Sequence, residues 1–459
     1  MKNFENIKNI IDSNLDGMDL SDNAKKSIKK KVEQKRSIQK RLILTTATFS
    51  SAFVILLIGF LVINGIWGSV VTNAQDLMEG IESRDIQALD KQKEASLIAP
   101  VADFSVRILK KTLVSKKDIL ISPTSIYLAL GMTANGADGK TLEEFENILG
   151  KGADIRDLNV FYKQLAERIT NPKEGKMTVA NSIWYRSING LKVKKDFLQK
   201  NADYYSTSAY KANFDDSSTV DFINDWVKGK TNGLVNKVIN TINPNTQMFL
   251  VNTLYFEGEW LNDYTEGNIK EGIFHTTNGD VKTSFMNSDE SFYIHGKDVK
   301  GVIKPYKGDQ FSFVGILPEE GNSVEKYIEG LTGESFLGLL NSKEETSVNV
   351  SIPKFEAKFE ATLNDSLNKM GLVKAFQNAD FSNMADNSNG LCIENVFHKV
   401  YVRVNERGTM AGAISSVEMT WKGMSKGLKL TFDRPFIYAI IDNETKLPLF
   451  MGVMQNPKE

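Results

Sequence analysis

Hydrophobic and polar positions change their period repeatedly along this chain. Val101, Phe104 and Ile108 recur at the spacing of one helical face. Ser122-Pro123 places a capping hydroxyl before a proline at the first helical position, predicting a second helix that ends near Gly136. Thr141-Leu142-Glu143-Glu144 reads as a capping box that opens a third helix stopping at Gly150. Strand patterns are predicted over 178–186, 248–256, 311–317, 347–352 and 400–405. There are no internal repeats and no strict strand–helix alternation. The pattern therefore implies one α+β domain over 96–459, not a doubly wound sheet.

A different pattern precedes that body. No charged residue lies between Arg41 and Asp76, and the run 42–67 contains Phe53-Val54-Ile55-Leu56-Leu57-Ile58-Gly59-Phe60-Leu61-Val62-Ile63. At a rise of about 1.5 Å per residue, about 20 apolar residues cross a bilayer. Trp67 stands at the expected interfacial position. Before the run lie Lys25, Lys26, Lys29, Lys30, Lys31, Lys35, Arg36, Lys40 and Arg41, opposed only by Glu33. The positive-inside rule makes 1–41 a cytoplasmic basic segment and 42–67 a single-pass transmembrane helix. Residues 68–95, with Asp76, Glu79, Glu82 and Asp85, then read as a stalk carrying an extracellular domain. The alternative is a cleaved signal peptide with Thr72-Asn73-Ala74 as its small-residue site; a leader of some forty residues is long for a charged n-region.

Composition narrows the function. Lys+Arg total 56 against 57 Asp+Glu in 459 residues, a balance that argues against nucleic acid as the main partner. The single cysteine, Cys392, excludes an internal disulfide and leaves stability to a large core. One cysteine and three histidines argue against a His/Cys metal site, and no cofactor is expected.

The most informative stretch is Glu406-Arg407-Gly408-Thr409-Met410-Ala411-Gly412-Ala413-Ile414-Ser415. It follows a strand in which Val400, Val402 and Val404 alternate with Tyr401, Arg403 and Asn405. Carried on at period two, one face holds Thr409, Ala411, Ala413 and Ser415, all small. A loop has no local need for this. A segment that slides into an already packed sheet does need it. Gly408 supplies the bend where strand turns into loop. Val417 and Met419 continue the inward face, while Glu418 and Thr420 face solvent.

Several runs in the body share an order with this segment. They include Ile121-Ser122-Pro123-Thr124-Ser125-Ile126-Tyr127-Leu128-Ala129-Leu130, Ile223-Asn224-Asp225-Trp226-Val227 and Leu250-Val251-Asn252-Thr253-Leu254-Tyr255-Phe256-Glu257-Gly258-Glu259-Trp260. Ile352-Pro353-Lys354-Phe355, Asp433-Arg434-Pro435-Phe436 and Leu449-Phe450-Met451-Gly452 follow. Together they resemble the serpin family over some 360 residues. That resemblance implies the serpin fold: a large central β-sheet, surrounding helices and an exposed reactive loop. It also implies a protease inhibitor, not an enzyme. The target's nucleophile attacks the loop, and the cut loop inserts into the sheet and stalls the acyl-enzyme. With the anchor, the expected protein is an extracellular, membrane-tethered serine protease inhibitor acting as a suicide substrate. The alternative is a non-inhibitory serpin-fold surface binding protein.

The resemblance also assigns residues. The hinge is Glu406, Gly408, Thr409, Ala411, Ala413 and Ser415. Counting seventeen residues from Glu406 gives Lys422-Gly423 as the scissile bond, whereas counting back from Phe432 gives Met424-Ser425, with Lys426 a third candidate. Lysine suits a trypsin-like protease, favoured here, and methionine an elastase-like or chymotrypsin-like one. Cysteine proteases are not excluded, since the trap needs only an acyl intermediate. His398, Asn252, Ser122 and Ser125 match a hydrogen-bonded cluster beneath the sheet opening, and Trp260 matches a tryptophan where the hinge first enters. Two motifs are decoys. Gly423-Met424-Ser425-Lys426-Gly427 fits G-x-S-x-G without a strand–turn–helix setting. The run 134–141 approaches a phosphate loop but has Ala134 where a glycine is required.

Overall fold

The computed structural model describes residues 74–187, 190–231, 233, 237–409 and 428–458. The expected span at 42–67, the basic segment before it, the hinge beyond Thr409 and all candidate scissile bonds lie outside these residues. Among the described residues, no helix is long and apolar enough to cross a membrane.

Nine α-helices are described: α1 (Lys91–Thr112), α2 (Pro123–Ala134), α3 (Gly139–Gly150), α4 (Ile155–Thr170), α5 (Lys195–Tyr205), α6 (Ser218–Lys230), α7 (Val324–Gly330), α8 (Gly333–Asn341) and α9 (Asn364–Met370). The first eight strands are β1 (Ala74–Asp76), β2 (Ile119–Ile121), β3 (Lys176–Arg186), β4 (Ser208–Ala212), β5 (Met248–Glu259), β6 (Ile269–Thr276), β7 (Gly279–Gly296) and β8 (Val299–Pro305). The rest are β9 (Phe311–Pro318), β10 (Glu344–Pro353), β11 (Phe355–Thr362), β12 (Phe397–Asn405), β13 (Gly408–Thr409), β14 (Leu428–Thr431), β15 (Phe436–Asp442) and β16 (Pro448–Met454). They form a seven-stranded sheet ordered β1-β4-β3-β5-β13-β12-β11. A nine-stranded sheet runs β14-β10-β7-β8-β9-β15-β16-β2, with β6 paired to β7. This mixed architecture is the α+β arrangement expected from the pattern.

Sequence explains the layering. Every residue of β9, β15 and β16 is buried, as continuous apolar runs covered on both faces should be. Helix α2 is buried on almost all sides, so it lies inside the molecule. Its start is as expected: the Ser122 side chain accepts from the Ser125 N–H, with Pro123 in the first turn. By contrast, α4 is amphipathic and buries Leu158, Phe161, Tyr162, Leu165 and Ile169.

The expected capping box at Thr141 does not form. Helix α3 begins at Gly139, capped by Asp138, whose carboxylate accepts from the Gly139 N–H at 2.9 Å. Thr141 Oγ1 instead accepts from the Asp380 N–H at 2.9 Å. Glu144 accepts from the Val373 and Lys374 N–H groups at 2.8 and 2.6 Å. Tertiary partners 230 residues away outbid the local motif, and the same side chains pin α3 to the 373–380 segment.

The described part of the expected stalk runs along the body. β1 pairs antiparallel with β4, and Leu77, Met78 and Ile81 pack against the core. Arg84 donates from Nε to the Asp203 carboxylate at 2.9 Å and from its backbone N–H at 2.8 Å.

Candidate functional site

The site forms where β5 and β12 part. In the order of the seven-stranded sheet the two strands are not hydrogen-bonded neighbours; the two residues of β13 stand between them. β12 ends at Asn405, and a two-residue turn, Glu406-Arg407, reverses the chain into β13. The Asn405 side-chain oxygen accepts from the N–H groups of Arg407 at 3.0 Å and Gly408 at 3.3 Å, a local hydrogen bonding to which asparagine is suited. Gly408 is required here: its φ is +152°, and a Cβ would collide with the Gly258 carbonyl oxygen. Sequence reading assigned Gly408 a bend into an exposed loop. In the structure it is already a paired strand residue.

Thr409 is fully buried, opposite Gly258 on one side and Val404 on the other. Its hydroxyl is 2.6 Å from the Tyr306 hydroxyl, and burial pushes that phenol far above its ordinary pKa. Tyr306 stacks on Trp260 with centroids 4.6 Å apart and planes within 10°. Trp260 in turn holds the turn twice, donating from Nε1 to the Asn405 carbonyl at 2.8 Å and from its backbone N–H to that of Arg407 at 2.9 Å. The Tyr264 N–H donates to the Glu406 carbonyl at 3.1 Å. Lys354 lies 2.8 Å from the Glu406 carboxylate. Partial burial alone would raise that carboxyl; the hydrogen bond and charge of Lys354 outweigh burial and hold it below the usual range.

The other expected residues meet further down the same gap. Ser122 donates its backbone N–H to His398 Nε2 at 3.1 Å and its hydroxyl to the Leu449 carbonyl at 2.8 Å. Ser125 donates its hydroxyl to the Asn252 side-chain oxygen, and Asn252 donates to Asn181. Because Nε2 accepts, His398 is neutral with its proton on Nδ1. Burial lowers its pKa from 6.5 to about 4. A small cavity between the strands is lined by Ser125, Ala129, Leu250, Asn252, Phe397 and His398.

Ser122, Ser125, Asn252 and His398 are thus one cluster, while Trp260 lies apart from it against the 405–407 turn. Sequence reading missed Asn181 as a fifth cluster member. It also missed Tyr306, Tyr264 and the pairing of Lys354 with Glu406. These are isolated polar or aromatic positions on distant strands, with no local signal that they converge.

Two strands of one sheet are thus parted at one end by the start of a chain segment, with a polar cluster further along the gap. The chain matches the family model described as Serpin (serine protease inhibitor) over residues 99–457. It belongs to the serpin family. An uncharacterised serpin-like protein of Thermococcus kodakarensis is 29% identical, covering 84% of this chain and 92% of that protein. The native-state crystal structure of tengpin, a thermophilic serpin, is similar with a TM-score of 0.79 and 41% identity, covering 84% of this chain and 100% of that one. Human thyroxine-binding globulin complexed with thyroxine is similar at a TM-score of 0.72 and 26% identity, covering 80% and 100%. Serpins are mostly protease inhibitors and not enzymes, in line with the expectation from sequence.

Proposed function

We propose that this serpin inhibits serine proteases as a suicide substrate, its cut loop inserting between β5 and β12, and that residues 42–67 tether it outside the cell membrane. The observation that carries this reading is the pairing of Gly408 and Thr409 with both flanking strands. Continued in that register, Ala411 falls opposite Phe256 and Val402, Ala413 opposite Leu254 and Val400, and Ser415 opposite Asn252 and His398. These three inward side chains are small, and the polar one of them would arrive at the polar cluster. Lys422-Gly423 is the favoured bond, because insertion fixes the count from the hinge side; a trypsin-like protease is then the target. Met424-Ser425 is the alternative.

The test mixes the protein with trypsin and with an elastase. A denaturation-resistant complex supports inhibition, and the released C-terminal peptide begins at Gly423 or at Ser425 according to its mass. Cleavage by every protease with no complex and no gain in heat resistance would defeat the reading. The likeness to thyroxine-binding globulin favours a second reading in that event, a non-inhibitory binding protein. The tether is tested separately: full-length protein should stay with membranes through a high-salt wash.

A further inference from the structure

Beneath the hinge lies an ion pair that loop insertion does not itself require. Lys304 on β8 and Glu290 on β7 are almost wholly inaccessible, with side chains 1% and 3% exposed and 2.6 Å between Nζ and Oε1. Such a pair does not explain itself by stability. Desolvating two charges costs several kcal/mol, and apolar residues of similar volume commonly serve as well. What distinguishes this pair is where its remaining contacts go. Lys304 Nζ donates to the Asn262 carbonyl at 3.1 Å and sits 4.5 Å from the Tyr264 ring centroid and 5.2 Å from that of Trp260. Ser288 donates its hydroxyl to Glu290 and stands 3.3 Å from the Tyr264 hydroxyl. So the ammonium's contacts beyond Glu290 all fall on the segment 260–264, the same segment whose N–H groups hold the carbonyls of Asn405, Glu406 and Arg407.

We infer that Lys304 and Glu290 are positioning residues that lock the 260–264 segment and so pre-organise the first paired hinge residues as the nucleus from which the loop inserts. The cation fixes both rings through their faces and the backbone through one carbonyl, and Glu290 holds the cation in place. With the pair gone, Trp260 and Tyr264 retain their packing but lose the charge that orients them. The paired start at Gly408-Thr409 is then populated less, and insertion competes less well with hydrolysis of the acyl-enzyme. This inference rests on the loop-insertion reading, so its test separates the two.

The experiment compares the full chain with the double variant K304M/E290L, which removes both charges together and leaves neither unpaired. Two readouts are taken: hydrogen exchange over 405–409, with β15 and β16 as internal reference, and the ratio of protease complex to cleaved protein. Exchange over 405–409 is expected to rise about tenfold and the ratio to fall about tenfold, the factor carried by roughly 1.4 kcal/mol, while β15 and β16 exchange as in the parent. A parent-like value for either readout overturns the inference. So does a uniform rise that includes β15 and β16, since that is the mark of a general stabilising role. Should the parent itself form no complex, the inhibitory reading fails, and exchange over 405–409 alone decides whether the pair positions the hinge.

Discussion

Acidification should unlock the lower end of the gap between β5 and β12 through a single residue. His398 is buried, and its Nε2 accepts the Ser122 N–H, so a protonated ring would set N–H against N–H away from bulk solvent. Burial lowers its pKa from 6.5 to about 4. The unfolded chain takes up the proton first as pH drops, so His398 favours the folded state fully above about pH 6.5. That stability is lost progressively down to pH about 4. The whole shift corresponds to roughly 3 kcal/mol, and roughly 2 kcal/mol is already gone at pH 5. The interval between pH 7.5 and 5 isolates the effect. Carboxylates held low in the fold, such as Glu406 and Asp203, withdraw their contribution only at lower pH. The other two histidines, His275 and His295, are exposed. The assay is the urea midpoint at both pH values for the parent and for His398→Gln, whose amide oxygen can still accept from Ser122. The parent should lose about 2 kcal/mol more than the variant on going to pH 5. Equal losses would refute the reasoning and place the acid sensitivity elsewhere.

Other outcomes follow from the hinge geometry. Thr409→Arg puts a charge at a fully buried position, so protease should cleave the variant while the complex-to-cleaved ratio falls by roughly a hundredfold or more, because an unpaired buried charge costs several kcal/mol. Should the ratio stay near the parent's, the buried pairing of Thr409 is not what trapping depends on. Gly408→Ala sets a Cβ against the Gly258 carbonyl, a backbone atom that cannot swing aside; β13 should unpair at a cost of about 1–3 kcal/mol, visible as faster exchange at 408 and 409. Cleavage of the loop in the parent should raise the thermal midpoint by roughly ten degrees or more, as new ladders form on both sides of the inserted strand. The same cleavage in Thr409→Arg should not; a calorimetric rise there would sink the insertion account.

Helices and strands whose partners are set by one buried face are legible from the residue pattern alone. The strands at 178–186 and 248–256 lie within β3 and β5, and Ser122-Pro123 opens α2 as its cap chemistry required. Where a side chain has a choice between a local and a distant partner, sequence misleads. Thr141 and Glu144 have the spacing of a capping box yet tie α3 to residues 373–380 in the fold, because spacing cannot report an N–H brought in from over two hundred residues away. The site divides in the same way. Its small-residue face can be read from period two alone. Tyr306, Tyr264, Lys304 and Glu290 cannot, since the pattern marks them only as strand or loop positions, and a buried lysine is unlike anything hydropathy predicts.

If the loop inserts as proposed, the two halves of the site would impose an order on the process. The hinge end is pre-formed: Thr409 is paired on both sides and its hydroxyl already has a partner, so the first step needs no new desolvation there. The next inward positions, Ala411 and Ala413, would enter between apolar pairs, Phe256 with Val402 and Leu254 with Val400. No ladder between β5 and β12 has to be broken along that path among the described residues. Resistance would rise at the third step. There Ser415 would come between Asn252 and His398, and the hydrogen bonds joining those side chains to Ser125, Asn181 and Ser122 bind both strands to α2 and β3. Each net hydrogen bond is worth about 1 kcal/mol, and leaving a buried donor unmatched costs more. A cluster of this kind therefore yields only when an incoming hydroxyl can replace what it loses. On the insertion reading, alanine at 415 would open the strands but not satisfy them, whereas serine would both fit the gap and complete the polar network.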